Sequence, residues 1–512
     1  MFPGTHARTT PNKPALIMAA TGQEVSYAQL EERSLRLANW FRSKGFQRGD
    51  VVALLSDNDA HVFDVYWATQ RAGQYLTSVN FHLHADEIRY ILENSGAKCL
   101  FLGNIGADVS AAWKDLPTLP LRVSFASGVE GFEAIDQILA TASAERPERE
   151  PRGADMLYSS GTTGRPKGVR PPLPERQVSD PGDTMTAMFG GYFGCNRDTV
   201  YLSPAPLYHA APLRTCASVQ ALGGTAVVMD KFDPEAALAA IQKYRATVSQ
   251  WVPTMFVRML KLDPAVRARY DVSSMQVAIH AAAPCPVDVK RQMIDWWGPV
   301  LYEYYSCTEV NGMTIIRPQD WLQKPGSVGK AALGTIHICD EAGHELQTGE
   351  DGLVYFERDT MPFAYHGDPE KTRSTQHPAH PTWTTVGDIG HVDADGFLFL
   401  TDRKAFMIIS GGVNIYPQEI ENALALHPAI LDIAVIGVPD AEMGEQVKAV
   451  VTLAAGYKPS AELAQQIIDF SKTRVASYKA PRSVDFVKAL PRTATGKLLK
   501  GEVRKIYWPA KA

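Results

Sequence analysis

The strongest constraint on this chain is a recurring pairing of short, wholly apolar runs with amphipathic helical stretches. Val51–Leu55 reads Val-Val-Ala-Leu-Leu without alternation, which predicts a strand covered on both faces. Before it, Leu30, Leu37, Ala38 and Phe41 recur at three- and four-residue spacing. They predict a helix over 26–45, capped by Ser26 and ended by Gly45. The pairing returns at Thr225–Met229 with Pro234–Tyr244, and at Ile433–Val438 with Glu462–Val475. The expected class is therefore α/β. Residues 340–400 break the rhythm: Gly343, Gly349, Gly352 and Gly396 punctuate short runs such as Leu353–Phe356 and Phe397–Leu400, predicting hairpins in a smaller β-rich subdomain.

With 512 residues the chain has room for about three structural units. The boundary is expected at Asp402–Arg403, dividing 1–402 from an α+β unit over 403–512. Lys and Arg total 51 against 56 Asp and Glu, a net charge of −5, which argues against a dedicated nucleic-acid binder. Six cysteines without a C-x-x-C pair suit reduced, buried thiols and a cytoplasmic setting. The N-terminus lacks the pattern of a signal peptide, and no apolar run approaches the ~18 residues of a membrane span, so no stable membrane insertion is expected.

Chemistry concentrates in Tyr158-Ser-Ser-Gly-Thr-Thr-Gly-Arg-Pro-Lys-Gly-Val169. Gly161, Gly164 and Gly168 let backbone N–H groups approach an anion. Ser159, Ser160, Thr162 and Thr163 add hydroxyls, and Arg165 and Lys167 add positive charge. The composition is that of a polyphosphate cradle, yet the spacing is not G-x-x-x-x-G-K-[ST], because five positions beyond Gly161 stands Pro166.

This loop resembles the signature of the adenylate-forming enzymes: acyl-CoA synthetases, luciferases and peptide-synthetase adenylation domains. Further stretches match the family in order. Tyr304-Tyr-Ser-Cys-Thr-Glu309 is similar to its aromatic-x-x-Thr-Glu motif; the resemblance puts Tyr305 against the adenine, with Tyr304 also among the cofactor-binding residues, Thr308 on phosphate, and Glu309 with Thr163 on Mg²⁺. His280-Ala-Ala-Ala-Pro284 stands where the family carries a small-residue adenine shelf, with Ala282 and Ala283 in place of glycine. Gly387-Asp388 resembles the ribose-binding motif, although Thr385 and Val386 replace its aromatic and threonine, and Arg403 is implied as a second ribose contact. In the last 110 residues, Ser410-Gly-Gly-Val-Asn-Ile-Tyr-Pro-Gln-Glu-Ile-Glu421 resembles the loop lining the pantetheine tunnel, through Gly411 and Gly412. Pro491-Arg-Thr-Ala-Thr-Gly-Lys497 resembles the segment whose lysine serves adenylation, and Gly437-Val-Pro-Asp440 is a further, structural match.

The resemblance implies an acyl-CoA synthetase-like fold, a large N-terminal domain and a mobile C-terminal one, and an ATP-dependent acid–CoA ligase using ATP, Mg²⁺ and coenzyme A. Lys497, Thr163 and Glu309 are the implied catalytic residues, with Thr162, Thr163, Gly164 and Lys167 on the β- and γ-phosphates. At the hinge the family often has Asp or Lys; this chain has Ala405 beside Lys404, which leaves the hinge energetics open. No Ser/His or Cys/His arrangement offers a base for the thiol, and none is invoked.

Pro206-Leu-Tyr-His209 resembles the motif gating the acid site; Trp251 is read as its wall, with Val252, Pro253 and Met255, and His280 as its carboxylate end. A packed tryptophan or core histidine is the alternative for each. Gly190, Gly191, Gly194, Ala210, Ala211 and Ala217 beside Phe189, Tyr192 and Phe193 suit a roomy apolar pocket, and no Asp follows His209 to pair with an α-amino group. A hydrophobic acid is expected: fatty, aryl-propenoic, or alicyclic such as a steroid side chain. The proline-rich loop Arg170–Asp183 reads as an unstructured surface insertion, with cover for the site or binding of a membrane-derived substrate as the alternative. His82-x-His84 reads as a loop entering a helix rather than a metal pair, and His377 and His380 read as solvated. Transfer to a carrier-protein thiol or to oxygen, or an inactive ATP-binding relative, are the competing functions. A homodimer is compatible with the sequence, which fixes neither the acid nor the oligomeric state.

Overall fold

The computed structural model describes residues 1–105, 107–159, 166–492 and 498–508. The chain forms two compact units. One comprises Met1–Gln250, Pro264–Val277 and Phe363–Thr372; the other comprises Trp251–Asp263, Ala278–Pro362 and Arg373–Ala512.

In the first unit a six-stranded sheet runs Glu133–Ala134, Leu121–Ser124, Ala97–Leu102, Val51–Leu55, Tyr75–Val79, Ala154–Asp155, with every pairing parallel. All five residues of Val51–Leu55 are buried, as an unbroken apolar run in a strand flanked on both sides demands. The predicted first helix spans Tyr27–Ser43. Ser26 Oγ accepts from Gln29 N while Gln29 returns a bond to Ser26 N, so two orphan amides of the first turn are satisfied. Further parallel pairing joins Pro14–Met18, Thr225–Val228, Val200–Ser203 and Val248–Trp251, and the helix Pro234–Tyr244 lies where the sequence places it.

The second unit carries the β-rich subdomain. Ser327–Leu333, Leu398–Arg403, Asp388–Val392, Gly352–Glu357 and Thr335–Cys339 pair antiparallel in that order. Its far end is a second sheet in which Ile430–Asp440 and Gly444–Leu453 form a long hairpin. Ile433–Val438, read from sequence as one more run in the α/β rhythm, is therefore antiparallel. It is apolar throughout because both faces are covered: Ile433 and Val435 pack with Val447, Ala449 and Val451, whereas Ala434, Ile436 and Val438 pack with Val450 and Val503.

The proline-rich stretch is not an unstructured insertion. Arg152 N donates to Arg176 O and Val178 N to Glu150 O, Tyr75 Oη donates to Pro171 O, and Arg48 reaches Glu175 at 2.9 Å. Asp183 then caps the helix Thr184–Gly191. Prolines lack N–H groups, but their neighbours supply enough bonds to bind the loop to the first unit.

Among the described residues no helix is long and apolar enough to cross a membrane. All six cysteines are free thiols, four of them buried.

Candidate active site

Antiparallel register makes the centre of the second unit. Asp388 opens its strand directly opposite Arg403 on the neighbouring one, fifteen positions along the chain. Arg403 Nε donates to Asp388 Oδ1 at 2.9 Å, and Tyr305 Oη donates to Asp388 Oδ2 at 2.6 Å. Asp388 thus satisfies both carboxylate oxygens with residues that the resemblance assigns to the same nucleoside. Burial, and then the Asp388 carboxylate, push the Tyr305 phenol well above its usual range, so it stays a donor. Asp388 in turn holds the Arg403 guanidinium above its usual value. Gly387, at φ +87, makes the turn before this strand, and its N–H is taken by Thr385 Oγ1.

Glu309 is buried in the turn that follows Leu301–Tyr305. That turn is fixed by Asn311, whose amide donates to Thr384 O at 3.0 Å and accepts from Cys307 Sγ. Asn311 escaped the sequence reading because a lone Asn two positions beyond the motif carries no pattern. Among the described residues no group of three or more His, Cys, Asp or Glu side chains could hold a metal ion. A single buried carboxylate fits Mg²⁺, which takes one or two carboxylates and completes its shell with water and substrate phosphate.

His280 ends the strand Val277–His280, beside Glu303 in the register. Glu303 accepts a 2.7 Å bond from Lys290, and its carboxylate lies 3.4 Å from His280 Nε2. All three groups are buried. Burial, then the Lys290 charge, hold His280 far below its usual value, so it is neutral. Neither of its ring nitrogens has a hydrogen-bond partner among the described residues. The next residues carry backbone strain: Ala282 sits at φ +73, a conformation that costs an L-residue about 1–2 kcal/mol. The alanine-for-glycine departure thus bears on backbone energy.

Trp251 is fully buried, its ring 5.6 Å from Trp297 and 6.2 Å from Phe256. His209 stands at the N-cap of Ala210–Leu222, its ring 4.5 Å from that of Tyr208. His84 caps the helix Ala85–Ser95 with Glu87. The solvated reading of His377 is corrected: it is 5% exposed, its Nε2 donates to Gly343 O, and its Nδ1 accepts from Ala379 and His380 amides. The rings of Trp383, at 5.1 Å, and Tyr355, at 5.2 Å, cover it, whereas His380, stacked on the Trp383 indole at 4.1 Å, is exposed as expected.

Ser160 to Arg165, with Gly161, Thr162, Thr163 and Gly164, lie outside the described residues, as does Lys497. The flanks of the phosphate loop are described: Leu157–Ser159 and Lys167–Val169 form an antiparallel hairpin. In the second unit Ile408–Ser410 and Val413–Ile415 form another, turning on Gly411 at φ +57 and Gly412 at φ +80. Positive φ at both central positions is the geometry of a two-residue hairpin turn that glycine permits.

Residues 4–365 match the family model described as AMP-binding enzyme, and residues 419–497 match the AMP-binding enzyme C-terminal domain. The chain belongs to the AMP-binding enzyme family. Within the adenylate-forming superfamily it falls with the acyl-CoA synthetases, as the motifs implied. It is similar to a feruloyl-CoA synthase of an Amycolatopsis species, 33% identical over 99% of this chain and 98% of the relative. It is likewise similar to a long-chain-fatty-acid–CoA ligase of Mycobacterium tuberculosis, 31% identical over 98% of this chain and 97% of the relative. The crystal structure of ATP-bound MatB from Rhodopseudomonas palustris covers 99% of both chains at a TM-score of 0.81 and 29% identity. These likenesses support the expected fold class, a large N-terminal α/β region followed by an α+β C-terminal one.

Proposed function

We propose that this enzyme joins a hydrophobic carboxylic acid to coenzyme A through an acyl-adenylate, releasing AMP and pyrophosphate. One observation carries the reading: both family domains match in order along a chain whose Tyr305, Asp388 and Arg403 converge by hydrogen bonding. In the first half-reaction a carboxylate oxygen attacks the α-phosphorus of ATP as its bond to pyrophosphate breaks. Two anions meet while charge builds on phosphoryl oxygens, so fixed cations and N–H dipoles supply most of the assistance. Lys497 bridges the carboxylate and α-phosphate; Thr162, Thr163, Gly164 and Lys167 hold the outer phosphates with Ser159, Ser160 and Gly161. Tyr304 and Tyr305, with Ala282 and Ala283, flank the adenine, Thr308 meets phosphate, and Asp388 with Arg403 grips the ribose. Glu309 and Thr163 would hold Mg²⁺, which neutralises phosphate charge when bound.

In the second half-reaction the thiol sulfur attacks the acyl carbon, the bond to AMP breaks, and the thiol proton passes to solvent. Residues from Arg403 onward form the domain that withdraws Lys497, and Gly411 and Gly412 admit the pantetheine arm. The acid is apolar, fatty or aryl-propenoic or alicyclic, and lies toward His209, Trp251 and His280. The similarity to feruloyl and long-chain fatty-acid ligases supports this class.

A panel of such acids with ATP, Mg²⁺ and CoA, scored for AMP and thioester, tests the reading. Acid-dependent pyrophosphate exchange without CoA-dependent thioester would move the acceptor to a carrier-protein thiol. No acid-dependent AMP with any member would refute the activity.

A further inference from the structure

The antiparallel pair Leu157–Ser159 and Lys167–Val169 is bridged by a segment from a distant part of the chain. Val169 pairs antiparallel with Tyr365. His366 N donates to Gly168 O at 2.8 Å and Arg170 N to Ala364 O at 3.2 Å, closing the pairing on both sides. The segment Phe363–Thr372 belongs to the first unit although the residues before and after it belong to the second. It is held in shape locally: Tyr365 N donates to Thr372 Oγ1 at 3.0 Å, and Thr372 Oγ1 donates to Asp368 O at 2.9 Å. Val169, Phe363 and Tyr365 form a small apolar cluster of their own.

Side-chain direction follows from the register. Residues two apart on a strand share a face, so Lys167 and Val169 project together, and Tyr365, opposite Val169, is the diagonal neighbour of Lys167 on that face. The Tyr365 ring, 8% exposed, lies with its centroid 5.5 Å from Lys167 Nζ. An ammonium over the electron-rich face of a ring is attracted to it, while the edge-on Phe363 ring, 5.3 Å away at 70°, fixes the tyrosine.

We propose that Tyr365 is a positioning residue for ATP, its ring restraining the ammonium of Lys167, the residue that opens the strand Lys167–Val169. The inference rests on the phosphate role given to Lys167 above. A lysine stem has four rotatable bonds, and each conformer removed before ATP arrives is entropy that binding need not lose. A ring attracts an ammonium through its quadrupole and, unlike a carboxylate, does not neutralise its charge.

The test is acid-dependent pyrophosphate exchange by the full-length enzyme with a graded series at position 365. Phenylalanine and then mono-, di- and trifluoro-phenylalanine hold the volume nearly constant while draining electron density from the ring. The expected result is wild-type KM for ATP with Tyr365→Phe, rising to roughly two- to fivefold at three fluorines. The KM for the acid should stay fixed along the series, and the slope should vanish in a Lys167→Met background. A KM for ATP that stays flat along the series would overturn the proposal, as would an equal slope with Lys167→Met. Absence of any acid-dependent exchange in the wild-type enzyme would instead overturn the proposed activity, so the two failures are distinguishable.

Discussion

Replacing Lys290 with methionine tests whether the buried ionic group of Lys290 and Glu303 beside His280 is organised as the geometry indicates. The Lys290 side chain has no solvent exposure, its ammonium is 2.7 Å from Glu303, and it lies 4.8 Å from the Trp321 ring centroid. Methionine keeps most of the volume and removes the charge, leaving the Glu303 carboxylate buried and unpaired. Breaking such a pair costs about 3–5 kcal/mol, far more than the pair contributes over an apolar replacement. At about 2 °C per kcal/mol for a unit of this size, the calorimetric transition should fall by roughly 6–10 °C. Pairing Lys290→Met with Glu303→Gln should restore most of the loss, because no buried charge remains. The pH dependence has a definite sign. Burial already raises the Glu303 carboxyl above its usual 4.5, and losing Lys290 raises it further. A raised folded value means the folded state holds the proton longer, so stability falls as pH climbs from the unfolded value through the folded one. The deficit is therefore small below the unfolded value and complete once Glu303 is ionised. A single variant within about 2 °C of wild type at neutral pH, or a double variant no better than the single, would refute the reasoning.

Three shorter tests address the remaining assignments. Lys497→Ala should cut adenylate formation by roughly a hundredfold or more yet still yield thioester from supplied acyl-adenylate; equal loss of both halves would contradict its role. Gly411→Leu places a side chain at φ +57 with its Cβ 2.7 Å from Met443 Cε, and should suppress CoA transfer while pyrophosphate exchange persists. An unchanged overall rate would remove the tunnel assignment. Ala282→Gly should relieve strain at φ +73 and raise stability by about 0.5–1 kcal/mol, measured by melting; a lower melting temperature would show that the strain is absent.

The α/β rhythm and the hairpin-rich stretch were legible because burial on both faces and glycine punctuation are local properties, readable over five to twenty residues. Val51–Leu55 and the capped helix Tyr27–Ser43 needed nothing else. Hydropathy alone did not distinguish the antiparallel hairpin at Ile430–Asp440 from a parallel strand, since both faces are covered in either case. His377 departs from its expected exposure for a related reason: polarity and neighbouring prolines describe a loop, but its burial depends on Gly343 and Tyr355 arriving from elsewhere in the chain.

The site divides in the same way. Asp388, Arg403 and Tyr305 were named through the family resemblance of the phrases in which they stand. That one carboxylate receives both the guanidinium and the phenol is a consequence of strand register, which no single segment encodes. The same holds for Lys290, whose charge is tolerable only because Glu303 comes 2.7 Å away, and for Tyr365, which meets Lys167 across nearly two hundred residues. Sequence by itself determined which groups the molecule possesses and the local backbone that carries them. Tertiary structure decided which of them are neighbours and which are dry, and Coulombic and π interactions depend on both.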